Sequence, residues 1–231
     1  MRAYVLCGGL GTRLREVTKG GQKAMVDVHG EPFLLLLLRQ LKAAGIEHAV
    51  LCAGYRADQL STLLADLSQR AQLSLDLVIE SQPLGTGGAL LNALQQWPAD
   101  EPYLVLNADT YLAHDAFCLS SDGVSSLILG VDVADRRRYG SLRIGDNGQV
   151  LGLLEKGESG PGLVNAGVYC FAAAAMAGEQ LRSCSMELDL LPGLIARGAL
   201  RVVTYAGSFI DIGTPDALAA FKASPDWSAQ Q

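Results

Sequence analysis

A glycine-rich segment directly follows the first predicted strand, at residues 8–11. Closely spaced glycines allow backbone N–H groups to approach an anion, and hydroxyl and guanidinium groups donate to phosphate oxygens. The segment is not a Walker A loop, because the chain has no Gly-Lys pair, and Leu14 stands at the third glycine position of a dinucleotide fingerprint. Because Arg13 and Arg15 lie in or beside the segment and Lys23 lies just downstream, we favour another kind of phosphate site over a simple strand-to-helix turn. Its candidate residues are Gly8, Gly9, Gly11, Thr12, Arg13 and, downstream, Lys23.

A second glycine cluster, residues 85–88, precedes a predicted helix. A flat base or a ribose lying against the backbone would require glycines, whereas Thr86 within the cluster could simply cap the helix. The sequence leaves both interpretations open. Just before the cluster, a carboxylate or amide could accept from guanine N1–H and N2–H₂, or the residue could end a surface strand. The candidates in this region are Gly85, Thr86, Gly87, Gly88, Glu80 and Gln82.

Two acidic residues are candidates for metal binding. Asp109 ends the Asn107-Ala108-Asp109 segment after the fourth predicted strand, and Asp211 is a lone carboxylate within an apolar run. A buried acid without a partner is costly, so Asp211 must cap a backbone group, pair with a cation or hold a metal. Two carboxylates and triphosphate oxygens would form an oxygen-rich Mg²⁺ site. Spacing alone does not show that Asp109 and Asp211 meet.

Polar residues also follow a predicted hairpin in the second half. Glu155 and Lys156 close its second strand, and Asn165 begins the next strand. A solvated strand end is the commoner position of such a Glu-Lys pair. In the functional alternative, Glu155 accepts from sugar hydroxyls and Lys156 holds a phosphate. Cys7 is interpreted as a small apolar strand residue rather than a reactive thiol.

The elements that must position these residues alternate between strands and helices in the first half. The βαβαβαβ series predicts an α/β fold with a Rossmann-like, mainly parallel sheet, flanking helices, and ligands beyond the carboxyl ends of the strands. The second half adds a hairpin with an Asn147-Gly148 turn. Predicted strands cover 3–7, 49–52, 75–79, 103–106, 127–131, 141–144, 150–154, 163–171 and 200–205. Predicted helices cover 32–45, 60–67, 89–94, 172–181, 188–196 and the segment after Pro215.

Composition narrows the function classes. The chain has 231 residues and a net charge of −6, which argues against a general nucleic-acid or anionic-membrane binder. Residues 1–30 nevertheless carry five cations against two acids. The longest aliphatic or aromatic run has six residues, far short of the roughly 20 that cross a bilayer. No signal peptide is predicted, and the five cysteines and three histidines lack metal or disulfide spacing, so we expect a cytoplasmic protein with reduced thiols.

Taken together and in order, these motifs resemble those of the nucleotidyltransferases that join a sugar 1-phosphate to a nucleoside triphosphate. Within that family the chain looks most like the D-glycero-α-D-manno-heptose 1-phosphate guanylyltransferases, because of residues 83–89, residues 185–192 and the compact length. The resemblance implies one nucleotide-diphospho-sugar transferase-like domain over 1–222, with a nucleotide half (1–120), a sugar-phosphate half (121–222) and a flexible tail (223–231). The matching segments are 8–15, 23–25, 83–89, 107–110, 137–140, 155–157, 165–169 and 209–215.

The resemblance also implies an activity, which is Mg²⁺-assisted in-line transfer of GMP from GTP to the sugar 1-phosphate with release of pyrophosphate. Residues expected to be catalytic are Arg13, Lys23, Asp109, Lys156 and Asp211, of which Asp109 and Asp211 would hold the metal. Residues expected at the nucleotide are Cys7, Gly8, Gly9, Gly11, Thr12, Arg13, Lys23, Glu80, Gln82, Gly85, Thr86, Gly87, Gly88 and Asp109. Residues expected at the sugar phosphate are Asn107, Gly140, Glu155, Lys156, Asn165 and Gly167.

Three alternatives stay open at this point. The chain could use UTP or dTTP with a mannose, glucose or amino-sugar 1-phosphate, could sense a nucleotide sugar without catalysis, or could be a nicotinamide-dependent oxidoreductase. The expected partners are GTP and a sugar 1-phosphate, with no nucleic acid and no membrane, and a homo-oligomer is compatible with the sequence. Departures from the family pattern at Gln22, Ala24, Ala108 and Ala166 leave all the charged groups in place.

Overall fold

The structure is a computed structural model that describes residues 1–9, 11, 14, 17–18 and 20–224. Thr12, Arg13 and most of the predicted tail lie outside the described residues. The strands are β1 (Arg2–Leu6), β2 (Asp27–Val28), β3 (Glu31–Pro32), β4 (His48–Ala53), β5 (Ser74–Ile79), β6 (Tyr103–Asn107), β7 (Thr110–Leu112), β8 (Ser126–Val133), β9 (Ser141–Ile144), β10 (Val150–Leu154), β11 (Gly162–Phe171), β12 (Leu200–Tyr205) and β13 (Phe209–Asp211). The helices are α1 (Phe33–Ala43), α2 (Ala57–Ala71), α3 (Gly85–Gln96), α4 (Leu191–Ala196) and α5 (Pro215–Ala223).

A nine-stranded sheet forms the centre of the molecule. Strands β6, β1, β4 and β5 are neighbours in that order and run parallel, so their carboxyl ends meet at one edge. Beyond β6, strand β11 pairs antiparallel with β6, β8 and β9, and the β9–β10 hairpin extends the sheet. The predicted α/β fold with flanking helices and a C-terminal hairpin is confirmed.

Helices cover both faces of the sheet because its strands bury side chains on both sides. Ala3 and Val5 of β1 face a cluster that contains the leucines of α1 and α2, whereas Tyr4 faces the cluster formed with α3 and α4. This alternation is the period-two geometry of a strand. Among the described residues, no helix is both long and apolar enough to span a membrane.

One predicted helix is wrong. Residues 172–181 form successive turns rather than a helix, with hydrogen bonds only three residues apart, such as Ala175 N to Ala172 O at 2.9 Å. Gly178 adopts a φ of +85°, which ends any helical run, and residues 179–184 continue as irregular chain. The second part of the predicted 188–196 helix is α4, and a π-helical turn over Met186–Leu190 precedes it.

A short ribbon lies outside the main sheet, and sequence analysis did not predict it. β7 and β13 pair antiparallel, with Asp211 opposite Thr110. Beneath them, Phe221 of α5 packs against Phe33 and Tyr111 with ring centroids 5.7 and 4.8 Å apart. This packing anchors β13, and with it Asp211, beside the end of β6.

Candidate active site

A cavity of about 930 Å³ opens at the carboxyl end of β6, between β10, β11, α4 and the β7–β13 ribbon. Ligands of α/β folds gather at such strand ends. The cavity is lined by all six residues predicted for the sugar phosphate and by both predicted metal ligands. These residues are Asn107, Asp109, Gly140, Glu155, Lys156, Asn165, Gly167 and Asp211.

The β7–β13 ribbon brings the two aspartates to the same wall. Asp109 immediately precedes β7, and Asp211 ends β13 opposite Thr110. The backbone N–H of Ile212 donates to the Asp109 carbonyl at 3.0 Å, which ties the two segments together. Asp211 Oδ1 also accepts from Gly213 N at 2.7 Å. The structure therefore joins two residues that are 102 positions apart, which spacing alone could not show.

Each of these carboxylates has a cationic partner. Lys23 Nζ donates to Asp109 Oδ2, and Arg138 Nη2 lies 3.6 Å from Asp211 Oδ2. No cluster of three or more His, Cys, Asp or Glu side chains suited to a metal occurs in the part of the chain that the structure describes. Any metal held here would therefore need ligands beyond these two carboxylates, such as substrate oxygens and water.

The sugar-phosphate candidates on β11 lie in an irregular stretch of that strand. The pairing of β11 with β8 shifts register between Asn165 and Tyr169. Within the shift, Gly167 has a φ of +72°, and its N–H donates to Asn165 Oδ1 at 2.8 Å. A Cβ at Gly167 would overlap the Asn107 side chain, so this position requires glycine. This register shift is a β-bulge, and it holds Asn165 at the wall of the cavity.

Glu155 and Lys156 follow β10 and are exposed, yet both border the cavity. Both predictions for this pair therefore have support, since it is a solvated strand end that also faces the candidate site. Lys156 stands at the rim, where a mobile ammonium can reach a phosphate.

Glu80 lies on the nucleotide side, beside the first glycine segment. A Cβ at Gly54 would overlap its carboxylate, and a Cβ at Gly8 would lie 3.1 Å from its Oε1 atom. Glu80 Oε2 accepts from Leu84 N at 3.0 Å, and burial raises the pKa of the carboxyl group above its ordinary value. The two glycines thus make room for Glu80 at the ends of β1, β4 and β5.

The remaining loop candidates have simple surroundings. Among the described residues outside its chain neighbours, none has an atom within 4 Å of the position of a Cβ at Gly9, whereas a Cβ at Gly11 would lie 3.1 Å from Lys23 Cβ. Cys7 is buried in the core, and burial raises its pKa well above the ordinary thiol value, which agrees with an apolar strand residue. Gln82 is exposed.

The second glycine cluster makes close contact with another part of the protein, which sequence analysis did not predict. The N–H groups of Gly87 and Gly88 donate to the Cys184 carbonyl at 3.0 and 3.1 Å. A Cβ at Gly85 would lie 2.6 Å from that oxygen. Thr86 does not cap α3 but accepts from Met186 N at 2.8 Å and borders the cavity. These glycines therefore allow the start of α3 to pack against residues 182–190.

Sequence analysis assigned no function to Arg138 or Glu187, which lie at the site. Glu187 borders the cavity from the π-helical turn, and Arg138 precedes the cavity residues Tyr139 and Gly140. Arg138 lies in residues 137–140 and Glu187 in residues 185–192, two segments that resemble the family. That resemblance is the sequence signal that could have identified them.

Comparisons with known proteins identify the family of this chain. The family model described as "Nucleotidyl transferase" matches residues 2–226. Mannose-1-phosphate guanylyltransferase of Mycobacterium tuberculosis is 34% identical over 222 residues, which cover 93% of this chain and 61% of that protein. The chain thus spans less than two thirds of the length of the mannose-1-phosphate guanylyltransferases that it matches.

Two relatives have nearly the same length as this chain. D-glycero-alpha-D-manno-heptose 1-phosphate guanylyltransferase of Campylobacter jejuni is 30% identical over 216 residues, covering 94% of this chain and 96% of that protein. The crystal structure of HddC from Yersinia pseudotuberculosis is 36% identical, with a TM-score of 0.84, covering 96% of this chain and 98% of that one. A second HddC structure, complexed with GMP-PN, has a TM-score of 0.82 at 36% identity and covers 95% of this chain and 96% of that chain. Because the family match takes in every strand and helix around the cavity, the chain belongs to the nucleotidyl transferase family.

Proposed function

We propose that this protein transfers GMP from GTP to a sugar 1-phosphate, with D-glycero-α-D-manno-heptose 1-phosphate as the acceptor, and releases pyrophosphate. The observation that carries the proposal is that one cavity is lined by both aspartates, Asp109 and Asp211, together with the acceptor candidates Glu155, Lys156 and Asn165. A cavity of about 930 Å³ has room for a nucleotide and a sugar phosphate together.

The cavity suits a reaction that depends on the alignment of two substrates rather than on a general base. A phosphate oxygen of the sugar 1-phosphate attacks the α-phosphorus of GTP, a new P–O bond forms, and pyrophosphate leaves with the electron pair of the broken bond. The nucleophile is already an anion at neutral pH. Correspondingly, no histidine is among the described residues that line the cavity. The residues have to bring two anions together and offset their charge.

The cations of the site have separate tasks in this proposal. Lys23 lies against Asp109 and offsets charge on the triphosphate, while Lys156, which borders the cavity, holds the acceptor phosphate. Arg13 is proposed to bind the triphosphate with Lys23, on the basis of the sequence alone. Asn165 and Glu155 would bind sugar hydroxyls.

The two aspartates fit Mg²⁺. Their carboxylate oxygens are hard ligands and they flank one ribbon, so Asp109 and Asp211 would hold the ion together with phosphate oxygens and water. When bound, the ion would supply charge neutralisation at the α-phosphate and at the leaving group. Gly213 N and Arg138 hold the Asp211 carboxylate in place.

The base and the sugar are the finer parts of the proposal. Guanine is supported by relatives named as guanylyltransferases and by an HddC structure complexed with GMP-PN. Glu80, which lies beside Gly8, is proposed to accept from guanine N1–H and N2–H₂. The heptose is supported by the Campylobacter jejuni relative, which this chain matches over 96% of that relative's length.

A matrix of four nucleoside triphosphates against heptose, mannose and glucose 1-phosphates, scored by pyrophosphate release, tests the proposal. The expected result is the highest kcat/KM for GTP with the heptose 1-phosphate. Similar kcat/KM for all four triphosphates would contradict the guanylyl assignment. Preference for UTP or dTTP would favour a related sugar nucleotidyltransferase, and binding without pyrophosphate release would indicate a sensor.

Replacement of Asp109 tests the metal assignment. Asp109→Asn removes one of the two proposed metal ligands and the partner of Lys23, so we expect turnover to fall on the order of 100-fold or more. Mn²⁺ binding in the presence of GTP, followed by electron paramagnetic resonance, should weaken in parallel. Asp216→Asn, which changes an exposed residue on α5, is the matched control. Unchanged Mn²⁺ binding in Asp109→Asn would remove the assignment.

A further inference from the structure

Three hydroxyl groups converge on one carboxylate at the cavity wall, that of Glu187. Thr86 Oγ1 and Ser185 Oγ lie 3.3 and 3.1 Å from Glu187 Oε2, and the Tyr169 hydroxyl lies 3.4 Å from Glu187 Oε1. The hydroxyls come from the first turn of α3, the residue before the π-helical turn, and β11. None of the roles derived above uses Glu187, although it borders the cavity.

The direction of every hydrogen bond in this cluster is determined. A carboxylate can only accept, and each hydroxyl has a single proton. Each hydroxyl oxygen already accepts from another N–H group, so its own proton is available for Glu187. The N–H donors are Met186 N to Thr86 at 2.8 Å, Leu188 N to Ser185 at 3.2 Å and Asn165 Nδ2 to Tyr169 at 2.8 Å.

The chain of hydrogen bonds ends on the amide of Asn165. Tyr169 is fully buried, so its hydroxyl has no solvent partner to exchange with. While its proton points to Glu187, the Tyr169 oxygen offers only lone pairs to Asn165. Asn165 must therefore present its NH₂ group to Tyr169 and its oxygen to Gly167 N. One amide orientation results, with the second N–H of Asn165 left for the cavity.

We propose that Glu187 is a positioning residue of the acceptor site, which fixes the Asn165 amide through Tyr169 while Thr86 and Ser185 hold its own carboxylate. The proposal rests on the proposed function, because Asn165 is assigned to the sugar phosphate there. It also explains why an acid is needed at this position. A glutamine would present an NH₂ group to hydroxyls whose protons already point toward it, so at least one hydroxyl would have to turn.

Two nearly isosteric variants test the chain of contacts. Glu187→Gln and Tyr169→Phe should each raise the KM for heptose 1-phosphate about tenfold, with less than about a threefold change in the KM for GTP. Because both act on the same amide, the double variant should be no worse than the more impaired single variant. Glu179→Gln makes the same chemical change at an exposed residue paired with Arg182 and should leave both KM values unchanged.

Two kinetic outcomes would overturn the proposal. If Glu187→Gln raises the acceptor KM and Tyr169→Phe does not, Glu187 contacts the sugar directly instead of acting through Tyr169. If both variants lower kcat and the melting temperature without changing either KM, the cluster serves stability alone. Tyr169→Phe keeps the ring stacked on Phe171, with centroids 5.4 Å apart, so it should still fold.

A further measurement separates this proposal from the proposed function. Absence of turnover by the wild-type chain with every triphosphate would refute the function only. The side-chain NH₂ resonances of Asn165, observed by NMR without any ligand, should shift in both variants and stay unchanged in Glu179→Gln. Unchanged Asn165 resonances in Glu187→Gln would refute the positioning role, whatever the enzyme does.

Discussion

Lys23 and Arg138 give each carboxylate of the proposed metal site a counter-charge. Asp109 and Asp211 flank the same short ribbon, and two unpaired carboxylates so placed would repel each other. The ion pairs with Lys23 and Arg138 offset that repulsion in the ligand-free chain. Both cations thus contact side chains of the cavity wall, which is where the proposed function requires positive charge.

At the residue scale, the prediction concerns Lys156. Its ammonium is exposed at the cavity rim, so Lys156→Ala should leave the free energy of unfolding unchanged within about 0.5 kcal/mol. Loss of a charge-assisted contact to the acceptor phosphate should raise the KM for the sugar 1-phosphate about tenfold. The KM for GTP should change much less. Lys222→Ala, on α5, removes the same charge away from the cavity and serves as control. Equal effects on the two KM values would contradict the position proposed for Lys156.

At the element scale, local patterns predicted most strands and helices, whereas the β7–β13 ribbon depends on a non-local contact. The alternation of β1 and the leucine spacing of α1 are local signals, and both elements were found within two residues of their ends. β7 and β13 have only three residues each, too few for a periodic pattern, and they meet across about 100 residues. Likewise, the sequence alone predicts that Asp109 follows the end of a strand, but it does not predict that Asp109 lies near Asp211.

Alanine substitutions at two glycines, Gly88 in α3 and Gly193 in α4, should change the stability of the protein in opposite directions. A Cβ at Gly88 would overlap the Arg182 carbonyl and lie 2.9 Å from Leu84 Cβ, so Gly88→Ala must force backbone segments apart. We expect it to lower the free energy of unfolding by about 1–3 kcal/mol despite the better helix propensity of alanine. In Gly193→Ala on α4, the nearest atom is Arg197 Nη1 at 3.6 Å. In Gly193→Ala, the better helix propensity of alanine should raise the free energy of unfolding by up to about 1 kcal/mol. Urea unfolding measures both, and destabilisation of the two variants by equal amounts would contradict the packing argument.

At the scale of the whole molecule, Glu80 links the stability of the fold to the base selection proposed above. Its carboxylate is held at the shared edge of β1, β4 and β5, over Gly8 and Gly54, where solvation is reduced. The end of the parallel sheet therefore contains a carboxyl group whose pKa burial raises above its ordinary value. Such a group lowers the stability of the folded protein at neutral pH, and a role in ligand binding would account for its presence.

The sign of the pH dependence follows from the raised pKa of Glu80. A carboxyl group with a higher pKa in the folded state contributes stability that is fully present below its unfolded pKa and is lost as the pH rises through its folded pKa. Glu80→Gln should therefore raise the melting temperature at pH 7.5 by about 1–3 °C, and this advantage should disappear below about pH 4. Glu158→Gln, at an exposed position, should follow the wild-type profile. Because glutamine offers guanine one acceptor instead of two, the same variant should also lose preference for GTP over the other triphosphates. Greater stability with unchanged GTP preference would show that Glu80 does not select the base.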